Sequence, residues 1–239
     1  MGKKHATTRP LTSPQAQISH HAAAGDGRGK RGQGISLLVI VILGFLAYSN
    51  TLHAPFQWDE SDYLVGNPFI RNLDFFVHPS RAEKLLDNAI ISRYVGYLTF
   101  ALNYRINGLD VFGYHVVNLA IHLANALLVY FLVALTFRTP YFSKEYAVGS
   151  HGSGGEHMQK LGAYSLLSTS YFRFIPFVVA LLFVVHPVQT EAVTYVFQRF
   201  ASLVSLFYLL SLVLYIKARL KEHGAEGRAQ SVKIEFVSF

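Results

Sequence analysis

Residues 111–137 read VFGYHVVNLAIHLANALLVYFLVALTF and contain no Asp, Glu, Lys or Arg. At about 1.5 Å rise per residue, such a helix exceeds the ~30 Å hydrocarbon core of a bilayer. It is predicted to span a membrane. Its polar residues follow a pattern. His115, Asn118, His122 and Asn125 recur at i, i+3, i+7 and i+10. A helix turns about 100° per residue, so the four share one narrow stripe. Facing lipid would be costly, so the stripe must meet protein or water. It can line a substrate cavity, with His115 and His122 as binding residues. It can also serve as interhelical hydrogen bonding, worth about 0.6 kcal/mol per contact on average. No acidic ligand shares the stripe, which argues against zinc.

The rest of the chain supports a membrane class. Of 239 residues, 51% are hydrophobic and 15% charged, against about 25% charged in soluble proteins. The apolar residues fall in blocks. The formal net charge is +7. Its basic residues sit at block ends, so they read as topology signals, not as a nucleic-acid surface. No cysteine is present, which excludes disulfide scaffolds and thiolate metal sites.

Three further blocks are spanning candidates. Residues 35–52, ISLLVIVILGFLAYSNTL, are uncharged. A cleaved signal peptide is the competing reading, and the long leader without an A-x-A site speaks against it. Residues 174–185, FIPFVVALLFVV, are short, suiting a span helped by its flanks or a re-entrant segment. Residues 200–216 are followed by Lys217, Arg219 and Lys221, a stop-transfer pattern. Between the first two spans, SRYVGYLTFALNYRINGLD places Tyr94, Tyr97, Leu98, Ala101 and Leu102 at helical spacing. That predicts an amphipathic helix in the membrane interface.

The expected fold is therefore an all-α polytopic membrane protein with about four spanning helices. An interfacial helix lies in its first outer loop. Residues 1–34 read as a disordered basic tail, 35–219 as the transmembrane domain and 220–239 as an undefined tail. Arg28, Lys30 and Arg31 read as an orientation signal, with contact to anionic lipid headgroups as the alternative. GSHGSGGEHMQK, within the loop 138–173, is flexible by composition. The positive-inside bias puts both termini and that loop in the cytoplasm. Residues 53–110 and the segment HPVQTEAVTYVFQR (186–199) then share the outer face, periplasmic or lumenal.

That sidedness brings two acidic motifs together. FQWDESDYLVGNPFI (56–70) carries Asp59, Glu60 and Asp62, and the second motif carries Glu191. A partly covered carboxylate can take a proton from an attacking hydroxyl. Asp59 and Glu60 together can hold Mg or Mn through oxygen ligands. A solvated acidic loop is the plainer reading. Trp58 suits an interfacial anchor. In the second motif, Pro187 after His186 breaks a helix, and Arg199 has the geometry to hold a phosphate. A structural turn with a snorkelling arginine is the alternative.

These pieces in series resemble GT-C-type membrane glycosyltransferases, in particular the O-mannosyltransferase branch with tetratricopeptide repeats. FQWDESDYLVGNPFIRNL resembles that branch's first outer loop. SRYVGYLTFALNYRINGLDVFGYHVVNLAIHLANALLVY is similar to its interface helix and second span, and FVVHPVQTEAVTYVFQR to its third landmark. Tyr94 stands where the family usually has Pro. The resemblance implies a GT-C-like N-terminal bundle. It implies transfer of a mannose-like sugar from a polyprenyl-phosphate carrier to Ser or Thr of an exported protein. Asp59 falls on the family's catalytic acid, with Glu60 beside it. Arg93, His186, Glu191 and Arg199 fall on substrate-binding landmarks, the arginines offsetting the lipid phosphate. Family members carry more spans and then helical repeats, whereas residues 217–239 show no 34-residue repeat. The expectation is an N-terminal portion needing its C-terminal half or a partner subunit. A non-catalytic subunit or scaffold is the alternative function, and a small channel lined by the stripe a third. The expected partners are the bilayer, the lipid-linked donor and the acceptor protein, without nucleic acid.

Overall fold

The computed structural model describes residues 14–86, 88–139 and 174–237, with side chains described from 31 to 224. The loop around GSHGSGGEHMQK lies outside the described residues. Those described form helices and turns and no strand. In chain order the α-helices are α1 (Pro14–Tyr48), α2 (Asp74–Val77), α3 (Asn88–Ser92), α4 (Tyr94–Asn107) and α5 (Val111–Thr136). They continue with α6 (Phe174–Val185), α7 (Thr190–Thr194) and α8 (Arg199–Val237).

Three helical stretches are long and apolar enough to cross a membrane: Arg31–Thr51, Val111–Thr136 and Val196–Gly224. A fourth span results only if Phe174–Val185 and Pro187–Thr194, bent by 52°, count as one. The fourth expected span is thus a broken one. Pro187 supplies the break, because it cannot donate to the preceding turn. His186, in extended backbone, accepts the Val188 N–H through Nδ1 at 3.2 Å and starts the next turn.

Two helices outrun their expected ends. α1 is helical from Pro14, inside the stretch read as a tail, and α8 runs to Val237, through the tail left undefined. The Lys, Ala, Arg, Leu, Glu and Gln of 217–230 are good helix formers, so α8 continues once its span has nucleated it.

The chain divides into Met1–Leu38 and Val39–Phe239. The described residues of the first unit, 14–38, form the opening stretch of α1. The second holds the core, where α5 and α8 form the most extensive helix pairing. One cluster joins Leu64, Phe69 and Ile70 of the outer loop to Tyr97, Phe100 and Ala101 of α4, with Tyr114 and Val196. A second joins Tyr48, Leu52, Leu119 and Val193.

α4 owes its position to two glycines. Gly96 faces α8 so closely that an added Cβ would lie 2.2 Å from the Phe200 ring. Gly108 ends the helix at φ 61°, which a side chain resists. Asp110 then caps α5, accepting the Phe112 N–H at 3.1 Å. The buried residues of α4 are Gly96, Tyr97, Phe100, Ala101 and Asn103. Leu102, expected among them, is exposed, as are Val95 and Ile106. The helix is apolar on two faces, one against the bundle and one away from it.

Candidate functional site

The two acidic motifs meet. Glu60, 1% exposed, lies under the junction. Its Oε2 accepts the Gln57 N–H at 2.8 Å, and its Oε1 accepts the Phe197 N–H at 3.1 Å. One carboxylate therefore ties the outer loop to the turn before α8. Asp59 is half-buried beside it and accepts a hydrogen bond from the Tyr195 hydroxyl through Oδ1. Its Oδ2 has no hydrogen bond among the described residues. Between loop and acid, Trp58 adopts φ 55° and is 88% exposed. A bulky residue in the left-handed region costs roughly 1–2 kcal/mol, so this turn is over-determined by what surrounds it.

Tyr195 is the residue that motif reading missed. Burial, then its hydrogen bond to Asp59, then the charges of Asp59, Glu60 and Glu191 push its phenol up to about 12. It stays protonated and donating at physiological pH. The missed signal is its place between Glu191 and Arg199, inside the second acidic motif.

The two expected phosphate-binding arginines differ. Arg93 is exposed and lies over the rings of Phe197 and Phe200, at 6.0 and 5.3 Å. It forms no ion pair with a described residue. Arg199 is fully buried. Its Nε donates to Asn118 Oδ1 at 2.7 Å, and a terminal nitrogen donates to the Tyr114 carbonyl at 3.0 Å. Its guanidinium covers the Phe100 ring at 4.4 Å. Among the described residues no carboxylate pairs with it. This charge is neutralised by dipoles and π-faces, and it is sealed from the outer junction.

The α5 stripe is buried throughout, and its partners explain it. The breaks around α6 and α7 leave carbonyls without helical partners. His122 Nε2 lies 3.1 Å from the Val184 carbonyl, in the last turn of α6. Asn118 donates to the Tyr195 and Val196 carbonyls at 3.3 Å each. His115 Nδ1 lies 3.3 Å from the Val193 carbonyl, and Nε2 lies 2.9 Å from that of Ala54. A neutral imidazole can donate to one of those two. Asn125 donates to the Ser202 carbonyl at 3.1 Å, while its Oδ1 is buried without a partner. The upper stripe is thus a set of caps for a broken span. Asn125 alone keeps unused capacity.

Asp62, His186 and Glu191 are exposed. Among the described residues no group of three or more His, Asp or Glu could hold a metal ion. Both Glu60 oxygens are committed to backbone donors. In the outer loop, Arg81 and His78 bind Asp74 at 2.6 and 2.8 Å. The Arg81 hydrogen bond, then that of His78, holds the Asp74 carboxyl below its usual range.

Known proteins match the sequence of this chain. Protein O-mannosyl-transferase F38B6.6 of Caenorhabditis elegans is 29% identical over 85% of this chain and 26% of its own length. Protein O-mannosyl-transferase Tmtc3 of Drosophila melanogaster is 29% identical over 87% of this chain and 23% of its own length. A human protein O-mannosyl-transferase, TMTC2, is 31% identical over 77% of this chain and 19% of its own length. The chain is a relative of the protein O-mannosyl-transferases. It spans about a quarter of the length of the first relatives it matches. No protein-family model matches it, and no solved structure gives a significant match.

Proposed function

We propose that this O-mannosyl-transferase relative supplies the outer-face acid and phosphate contact of a GT-C-type glycosyltransferase. In this reading Asp59 takes the proton from a Ser or Thr hydroxyl of an exported protein. The hydroxyl oxygen attacks the anomeric carbon of a mannose-like sugar, and the bond to the polyprenyl phosphate breaks. Arg93 faces the departing phosphate. Tyr195 fixes the carboxylate so that Oδ2 is the proton acceptor. The rest of the enzyme, on the same chain or a partner subunit, completes the donor and acceptor sites. A divalent cation shared by Asp59 and Glu60 would have to draw Glu60 away from two backbone donors. The reading therefore places Glu60 as a positioning residue.

The single observation that carries it is Asp59 itself. It is a half-buried carboxylate with one oxygen oriented by Tyr195 and the other open, at the meeting point of two motifs. Geometry of that kind is what a general base needs. In this reading the junction, His186 and Glu191 lie on the outer face, α4 in the interface, and both termini in the cytoplasm, as the basic flanks of the spans support.

The test uses membranes carrying the chain with the rest of its enzyme, a polyprenyl-phosphate-linked radiolabelled mannose and an exported acceptor. Asp59→Asn should lower transfer about 10²-fold or more. Undiminished transfer removes Asp59 from the mechanism. Absence of transfer by every version, beside an active intact relative, favours the scaffold reading. Single cysteines at Ser61, Thr190 and Arg138 check orientation with an impermeant thiol reagent. Labelling at Arg138 but not at Ser61 in intact cells would invert it.

A further inference from the structure

Gln57 to Glu60 form a tight turn. The Glu60 N–H donates to the Gln57 carbonyl at 3.0 Å, and Glu60 Oε2 accepts the Gln57 N–H at 2.8 Å. Glu60 is itself held by the Phe197 N–H at 3.1 Å, so the turn is fixed from outside the loop. Trp58 is its second residue, at φ 55°. A turn with positive φ at that position is the habitual place of Gly or Asn, because a Cβ resists it. Trp58 gains nothing within the chain in return. It is 88% exposed, and among the described residues no ring packs on its indole and no hydrogen-bond acceptor meets its Nε1. A large ring that strains the backbone and touches no neighbour is placed for something outside the chain.

The bilayer and a polypeptide are the two candidates. Trp is common at membrane interfaces, but this one stands among carboxylates. Asp59 follows it directly, and Asp62 is exposed with no ion pair among the described residues. Burying the indole among lipid headgroups would carry both acids against phosphates of the same sign. Those surroundings instead attract a cation, and Trp is the ring that holds one best. The alkyl stem of a Lys or Arg adds apolar contact with the indole face.

We infer that Trp58 and Asp62 bind a Lys or Arg side chain of the polypeptide whose Ser or Thr meets Asp59. The inference rests on the transferase reading for what that polypeptide is, not for its binding. Trp58 is then a specificity-determining residue. Its ring takes the basic side chain, Asp62 pairs with the charge, and the nearby hydroxyl comes to Asp59 Oδ2. An extended peptide returns to the same face every two residues, which sets the expected spacing between base and hydroxyl.

The chain has one tryptophan, so its emission reports on this ring alone. The chain in micelles is titrated with short, neutral-capped Ala/Gly peptides. Each holds a central Ser, flanked two residues away on both sides by Lys, Gln or Glu. A saturable change in emission is expected with the Lys peptide alone. Variants are compared by the anisotropy of that peptide carrying a neutral dye. Trp58→Gly should weaken binding about fivefold, the worth of an exposed cation–π contact. It should unfold no earlier than the unmodified chain, since Gly suits the turn. Asp62→Asn should weaken binding about threefold. Glu83→Gln, at an exposed acid elsewhere in the outer loop, should change nothing. Equal binding of the Gln or Glu peptide, or undiminished binding by Trp58→Gly, overturns the site. Earlier unfolding of Trp58→Gly overturns it too, by showing that the chain itself uses the ring. Quenching of the emission in vesicles of brominated phosphatidylcholine, without peptide, overturns it in favour of a membrane anchor. No step of this assay needs transfer. Lys-peptide binding beside undiminished transfer by Asp59→Asn would sink the transferase reading and leave this site standing.

Discussion

The outer junction and the α5 stripe are both rich in polar groups, but they use them differently. In the stripe, the hydrogen bonds of Asn118, and of Arg199 of α8 against it, run to protein acceptors, the ring nitrogens of His115 and His122 lie against carbonyls exposed by chain breaks, and only Asn125 Oδ1 is left without a partner. At the junction, Asp59 keeps an open oxygen and Arg93 an unpaired charge. Saturated polar groups hold a fold together, and unsaturated ones can act on something else. The two arginines make the same point within one residue type. Arg199 lies sealed among dipoles and rings, whereas Arg93 rests exposed on aromatic faces.

That contrast fails first, if it fails, at Arg199. Arg199→Ala should lower stability by about 3 kcal/mol, since it strands the buried Asn118 and Tyr114 acceptors and opens a void. Lys should restore little, because it lacks the planar fork. Thermal unfolding in micelles measures both, and a tolerant Ala variant would show that the stripe carries no structural weight. Glu60→Gln comes next. It points an amide N–H₂ at one of two backbone donors and should cost about 2 kcal/mol in the same assay. Strong loss of transfer at unchanged stability would move Glu60 from tie to chemistry. Tyr195→Phe should lower kcat about tenfold with KM held, by releasing Asp59. A merely structural tyrosine would change unfolding temperature instead. Because its pKa is pushed up to about 12, the phenol keeps its proton beyond the ordinary tyrosine range. The pH–rate profile should therefore show no loss near pH 10 from this group, and a basic limb there that vanishes in the Phe variant would contradict the assignment. The smallest effect is expected at exposed Glu191. Glu191→Gln should alter transfer less than about twofold, since an exposed charge is well screened. A larger fall would extend the acting site onto α7.

Much of this was legible in the residues. Strict spacing placed the α5 stripe on one face, and charge-free runs placed the spans. The His-Pro break and the meeting of the two acidic motifs followed from basic flanks and proline chemistry. The partners of the stripe were not legible. Backbone carbonyls have no letter in a sequence, and which ones lose their helical donors depends on where a span bends. The burial of Arg199 was hidden for a related reason. One positive charge beside a span looks the same whether it snorkels or is capped by Asn118 and Tyr114, both distant along the chain. The early start of α1 defied a Gly-rich composition, and its apolar half propagates the helix backwards. Leu102 misled because α4 is apolar on two faces, so periodicity alone could not choose the inner one.

The sealing of Arg199 also bears on how the protein is built into its bilayer. A lone guanidinium at the head of a span resists insertion, at about 2.5–3.5 kcal/mol if it reaches the centre. Its acceptors, Asn118 and the Tyr114 carbonyl, belong to α5, which the ribosome completes before α8. α5 can therefore act as a template that must be in the membrane when α8 arrives. The order of synthesis is then the order of assembly, and a permuted gene that delivers α8 first would send an unescorted cation into lipid.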